Sequence, residues 1–162
     1  TGRDAFAFQG TSANGLVENN LIYNIDDDGS TPMGAGGHVF RNNTFAGTMN
    51  FALEGGNATN LFEDNIFWTS SIQDTGLGTF NYNDYNSAAL PGTGNISSDP
   101  LFVNAVGNDY HLSHLAAGQG ADSPAIDAGS DTATNLGLDT RTTRTDNVTD
   151  TGTVDLGYHY LP

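Results

Sequence analysis

The feature that most constrains this chain is a short pattern that recurs at a near-constant interval. Val17-Glu18-Asn19-Asn20-Leu21-Ile22 matches Phe40-Arg41-Asn42-Asn43-Thr44-Phe45, and both match Phe62-Glu63-Asp64-Asn65-Ile66-Phe67. A weaker fourth copy is Tyr82-Asn83-Asp84-Tyr85, which puts the pattern's anchors at Asn19, Asn42, Asp64 and Asn83. A period of roughly 20 residues with few helix formers marks a solenoid of stacked coils. Leu is too sparse for a leucine-rich repeat. Each copy alternates apolar and polar residues around Asn/Asp and resumes with β-branched or aromatic residues, which reads as strand, bend, strand. Asn tolerates the left-handed backbone that a sharp bend requires. Coils stacked at about 4.8 Å would set equivalent Asn side chains above one another in a hydrogen-bonded ladder, with the aromatics stacked inside. The competing reading is an ordinary antiparallel sandwich with chance similarity between strands. Three close copies at even spacing argue against it.

The repeat occupies residues 1–90 and stops at the turn-rich Pro91-Gly92-Thr93-Gly94. Residues 91–162 read as a capping segment continuous with the solenoid. A cap has a physical reason, since stacked coils leave open strand edges that invite aggregation. At the other end, Asp4-Ala5-Phe6-Ala7-Phe8 already alternates like a strand within the repeat. The expectation is a piece of a longer array, or else a chain that stacks end to end on copies of itself.

Four motifs in the second half follow in order: Asp99-Pro100-Leu101-Phe102, Asp109-Tyr110-His111-Leu112, Ser123-Pro124-Ala125-Ile126-Asp127-Ala128-Gly129 and Asp155-Leu156-Gly157-Tyr158-His159-Tyr160. With the coil at Tyr82–Tyr85 before them, they resemble the C-terminal end of right-handed parallel β-helix proteins of the choice-of-anchor Q type, found among bacterial surface and secreted proteins. The segment His114–Asp122 departs from that pattern as an insertion, and Asp139 and Arg144 stand without the Gly expected between them. The resemblance implies an all-β chain: a right-handed parallel β-helix of about four coils closed by a β-rich C-terminal cap. It implies no single activity, because function resides in sites grafted on a fold.

Charge and composition narrow the functional classes. Nineteen Asp and Glu stand against four Arg and no Lys, for a net charge of -15, and there is no Cys. A phosphate-binding face needs clustered cations, so nucleic acid is excluded as a partner, as is docking on anionic lipid. No apolar run is long enough for direct membrane insertion. Absent Cys removes disulfide and thiolate chemistry. The expected location is extracellular or at a cell surface.

Candidate sites are few. Asp26-Asp27-Asp28 in a Gly/Ser-containing loop is a candidate Ca²⁺ site, weighed against a solvated acidic turn, because Ca²⁺ takes six to eight oxygens. Asp139, Asp146 and Asp150 form a weaker one. Asp26–Asp28 ahead of Gly36-Gly37-His38 has a superficial likeness to the carboxylates of β-helix polygalacturonases, but half a coil separates the two elements. β-Helix lyases use Arg or Lys as base; here Arg41 sits at a polar position and reads as a surface residue. Asp127 is expected to bond backbone amides. Asn57, Asn95 and Asn147 stand in Asn-x-Ser/Thr sequons within expected turns and are candidate glycosylation sites, whereas Asn42 is expected inside the ladder. Exposed aromatics such as Tyr23 or Trp68 would serve a glycan-binding module. No complete catalytic set stands out, so the reading is a structural or interaction protein, filament-forming or adhesive. The alternative is the supporting part of a polysaccharide lyase, hydrolase or epimerase acting on acidic polysaccharides.

Overall fold

A computed structural model describes residues 11, 13–24, 30–32, 36–47, 50–54, 60–73 and 78–162. The described chain is all-β and contains no α-helix. Its first eleven strands arrive as three sets of three and a last set of two. The first of each set are β1 (Leu16–Glu18), β4 (Val39–Arg41), β7 (Asn60–Glu63) and β10 (Gly78–Asn81). The second are β2 (Leu21–Tyr23), β5 (Thr44–Ala46), β8 (Ile66–Trp68) and β11 (Asp84–Tyr85). The third are β3 (Ser30–Pro32), β6 (Asn50–Glu54) and β9 (Ser71–Gln73). Each kind pairs only with its own, in parallel, giving sheets β1-β4-β7-β10, β2-β5-β8-β11 and β3-β6-β9. An antiparallel pair, β12 (Phe102–Asn104) and β13 (Asp109–Leu112), follows in the C-terminal segment. The stretch Asp4–Phe8 lies outside the described residues.

The register stacks like on like. Phe40 pairs with Phe62 and Phe62 with Phe80, while Phe45 pairs with Phe67. The Phe40, Phe62 and Phe80 rings lie 4.7 Å apart and near-parallel. Phe45 and Phe67 stack at 5.1 Å. All five are buried; burying each contributes about 2–3 kcal/mol, and stacked pairs add about 0.5–1.5. On the opposite pleat, the same register sets Arg41 between Glu18 and Glu63, at 3.8 and 3.3 Å. Arg41 is therefore part of a charge ladder across three strands.

The bend between the first two strands of each set explains the doubled Asn. The first position takes the left-handed backbone: φ is 50° at Asn19, 49° at Asn42, 58° at Asp64 and 53° at Tyr82. The second position turns inward and forms the ladder. Asn65 shows the pattern: its Oδ1 accepts from Asn43 N and Nδ2 at 3.0 and 2.9 Å. Its Nδ2 lies 2.9 to 3.0 Å from the Phe40, Glu63 and Asn83 oxygens. The rungs are Asn20, Asn43, Asn65, Asn83 and Asn95. Two expectations are corrected here. The fourth repeat aligns as Phe80–Tyr85, so Tyr82, not Asn83, matches Asp64. The rung of the second repeat is Asn43, and Asn42 is the bend residue, buried by the C-terminal segment.

That segment divides in two. Residues 91–98 cover the edge of the fourth repeat: Thr93 O accepts from Tyr82 N, Ile96 O from Tyr85 N, and Asn95 Oδ1 from Asn83 N. Residues beyond 98 lie along the row of bends. Asn19 exchanges two hydrogen bonds with the His159 backbone, at 2.7 and 3.0 Å. Thr44 Oγ1 accepts from Tyr158 N at 2.9 Å, and Asp64 O accepts from Gly157 N at 2.8 Å. The Asp64 carboxylate takes Ser130 N at 2.7 Å and Ser130 Oγ at 2.8 Å. The approach is close enough to demand glycine: a Cβ on Gly157 would stand 2.5 Å from Thr44 Oγ1. Trp68 packs edge-on against Phe102, and Phe102 against Tyr110, sealing the second sheet.

Two predictions follow from the ladder and the clasp. N65A strands several buried backbone and amide groups, so it is expected to lower unfolding free energy by about 3 kcal/mol or more, at roughly 1–3 per unpaired group. N20A, at the exposed end, is expected to cost under about 1 kcal/mol; urea titration compares them. Burial pushes both Asp64 and Asp84 up to about 6, against the hydrogen bonds each accepts from Ser130 and Ser98. The folded chain thus holds these protons more tightly than the unfolded one. Their stabilisation is full below about 3.8 and is lost as pH rises through about 6. Melting temperature is expected to rise from pH 7.5 to pH 5, and less so in D84N.

Candidate functional site

The densest set of ionisable side chains in the described structure lies in the C-terminal segment. Three chain features bring it together. The loop after β13 is closed at its neck by Ser123 N donating to Ser113 O at 2.8 Å, which sets His114 at the base. The Ala125–Gly129 turn carries Asp127 at φ 53°. The last stretch bears Asp150, Asp155 and His159. A cleft of about 270 Å³ opens between them, lined by His114, Asp127, Thr143, Arg144, Asp150 and Asp155.

The floor of the cleft is committed to holding the chain. Asp155, 4% exposed, accepts Asp127 N on Oδ1 at 2.8 Å and the Thr143 hydroxyl on Oδ2. Asp150 Oδ2 accepts Asp155 N at 3.0 Å and meets His159 Nε2 at 2.8 Å. His159 is fully buried, and its other ring nitrogen lies 3.0 Å from Gly157 O, so both face oxygen acceptors. Burial alone would push the Asp155 carboxyl up. The His114, Thr143 and Asp127 groups around it outweigh that and hold it below the usual carboxylate range. Such a carboxylate is a fixed acceptor rather than a proton donor.

The mouth is different. The exposed Asp127 carboxylate is raised, first by desolvation and then by the charges of Asp155 and Asp150, with His114 opposing. The buried His114 Nε2 stands 3.8 Å from Asp155 Oδ2, beyond hydrogen-bond reach, and has no hydrogen-bond partner among the described residues. The one hydroxyl among the described residues that rests on a carboxylate there, Thr143 on Asp155, is buried with its partner in the floor, and Asp155 is also held by the Asp127 amide. Among the described residues, no three His, Asp or Glu are grouped to hold a metal ion. What the arrangement does chemically is tie the 123–130 turn, the 142–150 loop and the closing stretch into one hydrogen-bonded unit.

The residues singled out from sequence fall as follows. Asp26, Asp27 and Asp28 lie outside the described residues, and so does Asn57. Asp139, Asp146 and Asp150 do not act as a set: Asp146 pairs with Arg144 and Asp150 with His159. Asn95 is the last rung, its Nδ2 donating to Phe80 O and Pro91 O at 2.8 and 3.0 Å, so a glycan there would displace a ladder contact. Asn147 is exposed, at φ 61°. His38 is buried between repeats, taking Gly15 N on Nδ1 at 2.9 Å. Tyr23 is 40% exposed with its ring 5.3 Å from Tyr110. Asp127 differs from expectation: it is the Asp155 carboxylate that takes a backbone amide, and the amide is that of Asp127. Asp150 stands in the sequence as a candidate cation ligand and Asp155 as part of the closing motif; their role in holding the chain shows only with partners five to twenty-eight residues away.

The contrast between floor and mouth is measurable. H159A leaves Asp150 buried without its partner and is expected to cost about 3–5 kcal/mol. D155A strands the Asp127 amide and the Thr143 hydroxyl, for about 2–4 kcal/mol. D127A, at the exposed mouth, is expected to cost about 1 kcal/mol, the strain of alanine at φ 53° rather than a lost contact. Equal losses for D127A and D155A in denaturant titrations would contradict this division.

No family model matches the chain, and no curated protein or solved structure does either.

Proposed function

We propose that the chain is the C-terminal part of a right-handed parallel β-helix, about four coils long, whose role is structural or interactive at a cell surface or outside the cell. The observation that carries this reading is the continuous asparagine ladder through every described repeat, in register with the stacked Phe40, Phe62 and Phe80 of the second to fourth. Repetition of one unit builds an extended surface in which each repeat contacts only its neighbours, the kind of surface that repeat proteins use for interaction. The order of the Asp99–Phe102, Asp109–Leu112, Ser123–Gly129 and Asp155–Tyr160 motifs supports the likeness to choice-of-anchor Q proteins. A net charge of -15 and absent Cys suit an exposed, soluble surface.

The enzymatic alternative gives the chain a supporting role in a carbohydrate-active β-helix enzyme. Against a catalytic role for this stretch itself, Asp64, Asp84, Asp150 and Asp155 all accept hydrogen bonds from the chain's own groups. Two measurements separate the readings. Electron microscopy of the purified chain is expected to show elongated particles or axial stacks of them. Incubation with acidic polysaccharides is expected to release neither unsaturated nor reducing sugar ends; sustained turnover by this chain would overturn the structural reading.

A further inference from the structure

A second cleft, of about 290 Å³, lies between the first bend and the 136–141 turn and is lined by Glu18, Asn19, Leu136, Arg141 and Tyr158. Its size is near the lower bound for small-ligand sites, roughly 300 Å³. Two of the other arginines are neutralised: Arg41 by Glu18 and Glu63, Arg144 by Asp146. Arg3 lies outside the described residues. Arg141 has no carboxylate within 4.0 Å among the described residues, in a chain where acids outnumber bases 19 to 4. An unmatched guanidinium in a recess is a preformed anion site, because its planar fork fits a carboxylate with two parallel bonds.

The walls are fixed. Arg141 N donates to Leu138 O at 2.9 Å and its carbonyl accepts Asp150 N at 2.8 Å. The Asn19 amide is spent on the His159 backbone. Tyr158 N is held by Thr44, and its ring rests edge-on against Tyr160 at 4.7 Å. Glu18 supplies the second polarity. Its side chain is 39% exposed and meets Arg41 only at 3.8 Å, so it retains capacity to accept hydrogen bonds. A bare anion would be repelled by Glu18; an anion carrying hydroxyl or ammonium donors would satisfy both walls.

We propose that this cleft binds a carboxylate flanked by hydrogen-bond donors, with Arg141 holding the carboxylate, Glu18 accepting from the donors and the Tyr158 ring lying against the ligand's carbon face. Sugar acids and amino acids share that chemistry. The test is a set of chemical-shift titrations of the isotope-labelled full chain with glucuronate, glutamate, glucose and acetate in turn. Saturable shifts centred on Asn19, Gly137 and Leu138 are expected for glucuronate or glutamate, and whichever binds identifies the source. Glucose, lacking the carboxylate, and acetate, lacking the donors, are expected to bind at least about tenfold more weakly. R141Q is expected to lose at least about tenfold in affinity. E18Q, on the exposed first strand, is expected to narrow the gap between the binding acid and acetate, and it serves where R141Q does not fold. Absence of saturable shifts with both acids, shifts centred elsewhere, or undiminished binding by R141Q would overturn the proposal.

Discussion

A parallel stack of short strands has a problem at each corner. The chain must turn where no strand neighbour satisfies its amides, and buried unpaired amides cost about 1–3 kcal/mol each. The asparagine row removes that cost. Each inward amide accepts the backbone N–H and the side-chain NH₂ of the rung before it and reaches a carbonyl of the preceding strand, as Asn65 does with Asn43 and Phe40. With the corners satisfied, adjacent strands share one register, and that register puts phenylalanine on phenylalanine. Sheet pairing, aromatic stacking and the Glu18–Arg41–Glu63 charge ladder all follow from the same alignment.

The bend residue one position earlier has a separate duty. Its left-handed backbone turns its side chain or carbonyl toward the flank, and there the C-terminal segment attaches. Asn19, Asn42 and Asp64 each hold a different point of that segment. The acid–histidine floor then ties the segment's own turns together. Two neighbouring positions of one dipeptide thus serve two interfaces, the inner face within the stack and the outer face along it.

Much of the repeat was legible because its chemistry is local. The Asn-Asn dipeptide, the alternation and the even spacing specify bend, strand and pairing partner within about 20 residues. The fourth copy was misaligned by one residue because Tyr82 stands where the others carry Asn or Asp, and a tyrosine at positive φ has no propensity signal to announce it. The row of bends as an attachment site was not legible, since Asn19 and His159 are 140 residues apart and Asp64 and Ser130 are 66 apart. The roles of Asp150 and Asp155 were not legible either, although their partners are only 5 to 28 residues away: no local pattern shows that the folded chain brings a carboxylate, a threonine hydroxyl and a histidine ring to one floor. Glycines 129 and 157 could be seen in the motifs, but their reason, backbone passing within contact of Val154 and Thr44, is tertiary.

Successive rungs of the ladder are separated by 23, 22, 18 and 12 residues. The bonds between them keep nearly the same lengths. The corner is therefore indifferent to how much chain is threaded before the next one arrives. Length differences must be absorbed by the connections after the second strand of each set, which carry none of the rungs. Such a chain can gain or lose whole turns, or lengthen one connection into an elaborate loop, without renegotiating its interior. Differences in length between rungs thus fall outside the bends, and the inward Asn positions form the seam against which they are measured.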